Sequence, residues 1–315
     1  MPRPLIRKIR TLAAKVETTI GTPETLAAAD CAFNAYDLKV NADIQTDKRD
    51  AQGSMDNLSA VVAGYKGSVS FKTDAGWDGT ATLPTWATVL LPACGYVESS
   101  AVFNPTSEAP DLGNTKTLTI GGFQDGIKKF LAGAMGSFKI MMPSGKQIVL
   151  EWTFWGVWQD VVDAAIPASI TYPTAKPIRF ASSTLQFNTI DLCTENLTFD
   201  ASNEVIWRED PSTAAGYKSC LITDRHPKVT GNPEENLVAD RDAFGNWRSM
   251  TEAALTATID GPSTSTIALS APKAQIVNVQ ESDRNGLVVD DTEWDCNKNG
   301  ANADEDVSLT FTAAV

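Results

Sequence analysis

A chain of 315 residues with 43% hydrophobic and 21% charged residues has the composition of a globular protein and the length of about two domains. A formal net charge of −13 excludes a groove that grips nucleic acid through clustered Lys and Arg, and it disfavours docking on an anionic membrane. The five cysteines (Cys31, Cys94, Cys193, Cys220, Cys296) are odd in number and contain no CxxC pair, so neither a disulfide framework nor a zinc site follows; reduced thiols in a cytoplasmic product are expected.

In chain order, residues 1–30 read as an N-terminal arm: a basic start, then Lys15-Val-Glu-Thr-Thr-Ile-Gly-Thr-Pro23. No apolar stretch is long enough for a signal peptide or a membrane span. Alternation from Phe33 to Ile44 predicts a strand with a bulge. Residues 47–63 read as a long polar loop, and 66–73 as the next strand. A helix is expected over 83–94, with Leu83, Trp86 and Leu90 on one face, Gly95 as its stop, and Pro92 disturbing its last turn. Lys116–Ile120 is a strand, with Gly121-Gly122 breaking its end, and 136–155 is a hairpin. Pro167, Pro173 and Pro177 mark 161–182 as a linker. Beyond it, strands are expected near 184–189, 195–208 and 217–224, and a helical stretch around 234–244. A hairpin from Ala274 to Trp294 turns at Asn285-Gly286, and a final strand spans Val307–Thr312.

The second half repeats features of the first. Asp37–Ala42 is echoed by Asn196–Ala201, Gly64-Tyr65-Lys66 by Gly216-Tyr217-Lys218, and Glu151-Trp152 by Glu293-Trp294. Three echoes in one order imply an internal duplication. The fold expected is mainly β: the arm 1–30, a first β-sandwich unit 31–160, the linker 161–182 and a second unit 183–315, each unit carrying a short helix.

Catalytic chemistry finds little support. The single histidine, His226, sits in a charged turn, and Ser144-Gly145-Lys146 lacks the remainder of a phosphate loop. Asp295, Asn297, Asn299 and Asp306 have the spacing of calcium ligands. Strand-like flanks and an Asp in place of the final Glu favour a turn instead. Trp152, Phe154, Trp155 and Trp158 match a sandwich core better than a sugar platform. The reading is of a non-enzyme without cofactor.

Lys15–Pro23, Leu90-Leu-Pro-Ala-Cys-Gly95, Gly133–Ile140 with Ile148–Phe154, and Asp283–Asp291 resemble the major tail tube proteins of long-tailed bacteriophages. The resemblance implies tail-tube-type β-sandwich or half-barrel units assembled into stacked rings around a DNA channel. Its partners would be copies of itself and other tail proteins at the tube ends. Double-stranded DNA would pass without specific binding, and the product would reside in the virion after assembly in the host cytoplasm. Because such a ring usually has six units, a duplicated chain implies a trimer. The resemblance also places Asp47, Lys48, Arg49 and Asp50 at an inter-ring contact, and an acidic lumen is expected to let DNA slide. The competing expectation is a calcium- or carbohydrate-binding surface protein.

Overall fold

The computed structural model describes residues 3–53, 55–110, 116–301 and 303–314. The chain is mainly β. Its strands are β1 (Arg10–Val16), β2 (Ala35–Asp50), β3 (Asn57–Asp74), β4 (Tyr96–Ser99), β5 (Val102–Pro105), β6 (Leu118–Gln124), β7 (Ile127–Pro143), β8 (Val149–Trp158) and β9 (Val162–Asp163) in the first half. The second half contributes β10 (Thr184–Phe187), β11 (Ile190–Asp191), β12 (Thr194–Asp200), β13 (Asn203–Glu209), β14 (Tyr217–Arg225) and β15 (Lys228–Pro233). It continues through helix α1 (Ala243–Arg248) to β16 (Glu252–Asp260), β17 (Thr266–Arg284), β18 (Leu287–Cys296) and β19 (Ser308–Thr312). One 17-stranded antiparallel sheet takes in all but β13 and β14, which form a separate ribbon.

The duplication is visible in the pairing. In the first half the strand order is β1-β6-β7-β8-β3-β2. In the second half it is β10-β16-β17-β18-β15-β12. Each half runs strand, two paired strands, helical segment, strand, hairpin. The helical segment of the first half is a π-helical turn, Trp86–Leu90, followed by a 3-10 turn, Pro92–Cys94. Pro92 has no N–H to continue the ladder, and Gly95 ends the segment at φ 78° with its N–H donated to the Pro92 carbonyl. In the second half the helix is α1, later than the expected 234–244, and Asp242 caps it by accepting from the Gly245 N–H.

Several expectations change. The arm is anchored: Leu12, Ala13 and Ala14 are buried, and β1 pairs with β6 along its whole length. Residues 47–63 belong mostly to a β-ribbon, the distal half of the β2–β3 hairpin, with the reversal confined to 51–56. Both faces of this ribbon are exposed, so burial imposes no apolar alternation on it. Gly121-Gly122 lie within β6 rather than at its end, where the backbone of Lys129 and Phe130 and the Leu38 side chain leave no room for a Cβ. The proline-rich stretch 161–182 is packed: Ile178 and Phe180 are buried, and bridges run from Pro177 to Gly76, Arg179 to Gln147 and Phe180 to Ser144. The strand expected over 195–208 breaks at Ala201-Ser202 into β12 and β13, Ser202 having φ 46°.

One hydrophobic core crosses both halves. It joins Phe71, Phe138, Trp152 and Phe154 to Phe199, Val229, Ile276, Trp294 and Phe311. Phe138 is the pivot, stacked on Trp152 at 5.3 Å and tilted against Phe199 at 5.7 Å. Aromatic pairs of this kind add about 0.5–1.5 kcal/mol beyond the area they bury. Trp152, Phe154 and Trp158 are therefore core residues, and the Trp152 indole N–H is satisfied by Thr73 Oγ1 at 2.8 Å. Phe199→Ala is expected to cost about 3–5 kcal/mol and to leave a single unfolding transition. Calorimetry resolving two transitions would show that the halves unfold separately.

Candidate functional site

The halves meet along one strand. From Ile127 to Ala134 the edge of β7 opposite β8 is taken by β6; from Lys139 onward it is taken by β12. The exchange happens past Gly133, which has φ 60° and lies beside a register shift between Ala132 and Met135. In the joint, Met142 faces Leu197 and Ile140 faces Phe199, all buried, while Lys139 Nζ lies 2.8 Å from Asp200 Oδ2. Burying an apolar side chain contributes about 1.5–3 kcal/mol, whereas a half-exposed cross-strand ion pair contributes about 0.2–1. The apolar pairs hold the joint and the ion pair helps to fix its register. Asn203 extends it, donating from Nδ2 to the Cys94 and Gly136 carbonyls at 2.8 and 2.9 Å.

The ribbon β13–β14 lies over the first half. The Gly64-Tyr65-Lys66 motif meets its echo there: the Tyr65 N–H donates to the Ala215 carbonyl at 3.2 Å, and Lys66 Nζ sits 4.2 Å from the Trp207 ring centroid. Ser219 and Cys220 are buried against this surface, where a Cβ on Gly133 would strike Ser219. Glu17 secures Gly133 from below. Its carboxylate accepts from the N–H groups of Gly133 (2.7 Å) and Gly21 (2.8 Å) and from the hydroxyls of Thr117 (2.7 Å) and Thr119 (2.9 Å). Burial outweighs these donors and raises its pKa above the ordinary 4.5.

The first joint links the two halves into an eight-stranded path, β2-β3-β8-β7-β12-β15-β18-β17. Opposite residues share a face, and one row on the face turned from the core reads Lys72, Glu151, Lys139, Asp200, Lys228, Asp295. The charges alternate at every step. Lys72 is bonded to Glu151, which raises its pKa, and Lys228 Nζ bonds the neighbouring Glu293 at 2.8 Å, which raises its own.

The path ends in two open edges. Among the described residues, no strand pairs with β2 opposite β3, or with β17 beyond Gln275 opposite β18. β2 continues into the ribbon that carries Asp47, Lys48, Arg49 and Asp50, all exposed. Arg49 Nη2 donates to the Ser59 carbonyl across it at 3.0 Å. Ile44, Leu58, Val61 and Val62 also stand exposed there. These apolar side chains stand beside the charged ones on a ribbon with no core beneath it.

The calcium-spaced residues are otherwise engaged. Asp306 accepts from Arg225 Nε at 3.1 Å, and Asp295 stands in the charged row. Asn297 Nδ2 donates to Gln275 and Glu252, and Asn299 Nδ2 to Glu305. No group of three or more His, Cys, Asp or Glu among the described residues is arranged to hold a metal. His226 is exposed, 3.3 Å from Asp224. No helix among the described residues is long and apolar enough to cross a membrane. Sequence reasoning missed the joint and the charged row altogether, since neither has a local signature. Compared with known proteins, the chain matches no family model and no curated relative.

Two outcomes follow. A folded-state pKa raised by burial means that Glu17 contributes most below its unfolded value and loses that contribution as pH rises through the folded one. The Tm advantage of wild type over Glu17→Gln is therefore expected to shrink between pH 4 and pH 7; an advantage that grows with pH would reverse the assignment. Calcium or chelator is expected to leave Tm unchanged, which calorimetry with each would check.

Proposed function

We propose that this chain is a structural, non-enzymatic subunit that self-assembles into rings, and that the rings stack into a tube of the kind found in long-tailed phages. The observation that carries the reading is the repeat of one strand order on either side of an internal joint, with the two edges that would repeat the joint left open. A joint whose donor and acceptor surfaces differ generates a ring when its rotation closes. Three chains, each bringing two units, make a pseudo-sixfold ring, in keeping with the tail tube resemblance.

In such a ring the eight-stranded path is the wall. One row of its outward charges alternates, so along that row DNA would meet paired Lys and carboxylate rather than the acidic surface expected from net charge. A balanced wall offers no cluster of cations for phosphates to grip, and passage without specific binding still follows. The β2–β3 ribbon is the stacking element, with Asp47–Asp50 and Val61-Val62 meeting the next ring. Other tail proteins at the tube ends and residence in the virion belong to the same reading.

Native mass spectrometry is expected to give a three-chain species, and negative-stain microscopy rings or tubes. Val61→Asp with Val62→Asp is expected to leave rings but suppress stacking. A protein that stays monomeric at every concentration would sink the proposal, and glycan affinity in that monomer would favour the surface-protein reading.

A further inference from the structure

The duplication fixes where a second copy must sit, and in which register. Trp152 opposes Phe71 on β3 and Phe138 on β7; Trp294 opposes Val229 on β15 and Ile276 on β17. The two tryptophans are thus equivalent. Their neighbours Glu151 and Glu293 oppose Lys139 and Asn278, so Asn278 holds in the second half the place of Lys139. On the other side, Lys228 precedes Val229 as Ser70 precedes Phe71. Lys228 opposes Asp200 and Ser70 opposes Lys39, so Lys39 holds the place of Asp200.

We infer that the open edge of β17 takes β2 of a second copy of this chain, antiparallel, with Lys39 opposite Asn278. The inference rests on the ring reading and deepens it. The pairing repeats the β7–β12 joint between copies, but with a different chemistry. Inside the chain, buried Leu197 and Phe199 join Met142 and Ile140. Between copies, Leu38 and Val279 are already covered at home, so backbone hydrogen bonds and polar contacts carry the contact. The Arg10 guanidinium, bonded to the Leu38 carbonyl, holds the β2 edge beside the pairing site.

The charges also make the two joints non-interchangeable. Lys39 against a β7 edge would meet Lys139, a like-charge pair, whereas against β17 it meets a neutral amide with Glu293 directly behind. Asp200 against β17 would instead approach Glu293. Each strand therefore disfavours the other's seat, which keeps β12 on its own β7 when chains crowd together.

The test uses full-length variants with one introduced cysteine each in a Cys193→Ser background, since Cys193 is the exposed native thiol and the other four cysteines are buried. Lys39→Cys and Asn278→Cys proteins are mixed, oxidised and run on a non-reducing gel. Directly opposed strand residues fall within disulfide reach. The mixture is expected to yield a covalent dimer that neither variant forms alone. Rings seen by microscopy together with no dimer, or with a stronger dimer between Lys39→Cys and Glu281→Cys, would overturn the register while leaving the ring reading intact. Absence of both rings and dimers would overturn both.

A charge exchange tests the same contact without cysteine. Lys39→Asp is expected to weaken self-association about fivefold per joint by sedimentation. Adding Asn278→Lys recreates the internal Lys–Asp pair and is expected to restore it. A double variant no better than the single one would overturn the pairing.

Discussion

Strand β7 changes partner halfway along its length, and the molecule is organised around that change. A straight strand would keep β6 as its neighbour throughout and leave β12 without a partner. Gly133, held in the left-handed region, and the adjacent register shift turn the strand away from β6. Glu17 grips the Gly133 N–H and, through Thr117 and Thr119, the start of β6, so the turn is fixed from a buried carboxylate. Once the strand has turned, Ile140 and Met142 face Phe199 and Leu197, and the cores of the two halves become one. A second tie, β19 pairing with β5, joins the C-terminal strand to the first half.

This arrangement explains how an acidic chain presents a charge-balanced row across its main sheet. Cross-strand neighbours of opposite sign are favourable and like charges are not, so a row that crosses six strands, two units and a joint settles on alternation. Each exposed pair contributes little stability. Their combined effect is on register, because a slip of one residue would move every charge to the core face.

Parts of this were legible in the residues. Asn285-Gly286 between apolar runs gave the β17–β18 turn, and both residues have positive φ, as a type I′ turn requires. The paired Glu-Trp motifs located β8 and β18, whose equivalence the pairing bears out. Other echoes were less direct. Asp37–Ala42 and Asn196–Ala201 do fall on equivalent strands, but out of step, Lys39 matching Asp200 rather than Thr198. The Gly-Tyr-Lys motifs pack against each other. The 47–63 ribbon was unreadable as strand since no core imposes alternation on it, and β1 was hidden by the small residues that let it lie buried beside β6. The joint pairs residues far apart in sequence and leaves no local periodicity to find.

In the proposed ring, divergence between the two halves follows from having two kinds of joint on one chain. An unduplicated subunit meets identical neighbours on both sides and must use one interface for all of them. Here the internal joint forms during folding, at an effective concentration set by a short chain path, and can afford to be apolar. In the proposed ring the joint between copies must wait for a second chain, so its edges have to survive exposed without aggregating. Lys39 on β2, and Gln280 and Glu281 on β17, are the polar edge residues that this wait demands, where the internal joint carries Met141 and Met142 in the places of Gln280 and Glu281. The same asymmetry separates the hairpins. The β13–β14 ribbon has its seat within the chain and buries Ser219 and Cys220 there, whereas the β2–β3 ribbon keeps Val61 and Val62 in the open. On the proposed reading, a duplicated chain completes half of its contacts alone and keeps the other half for assembly.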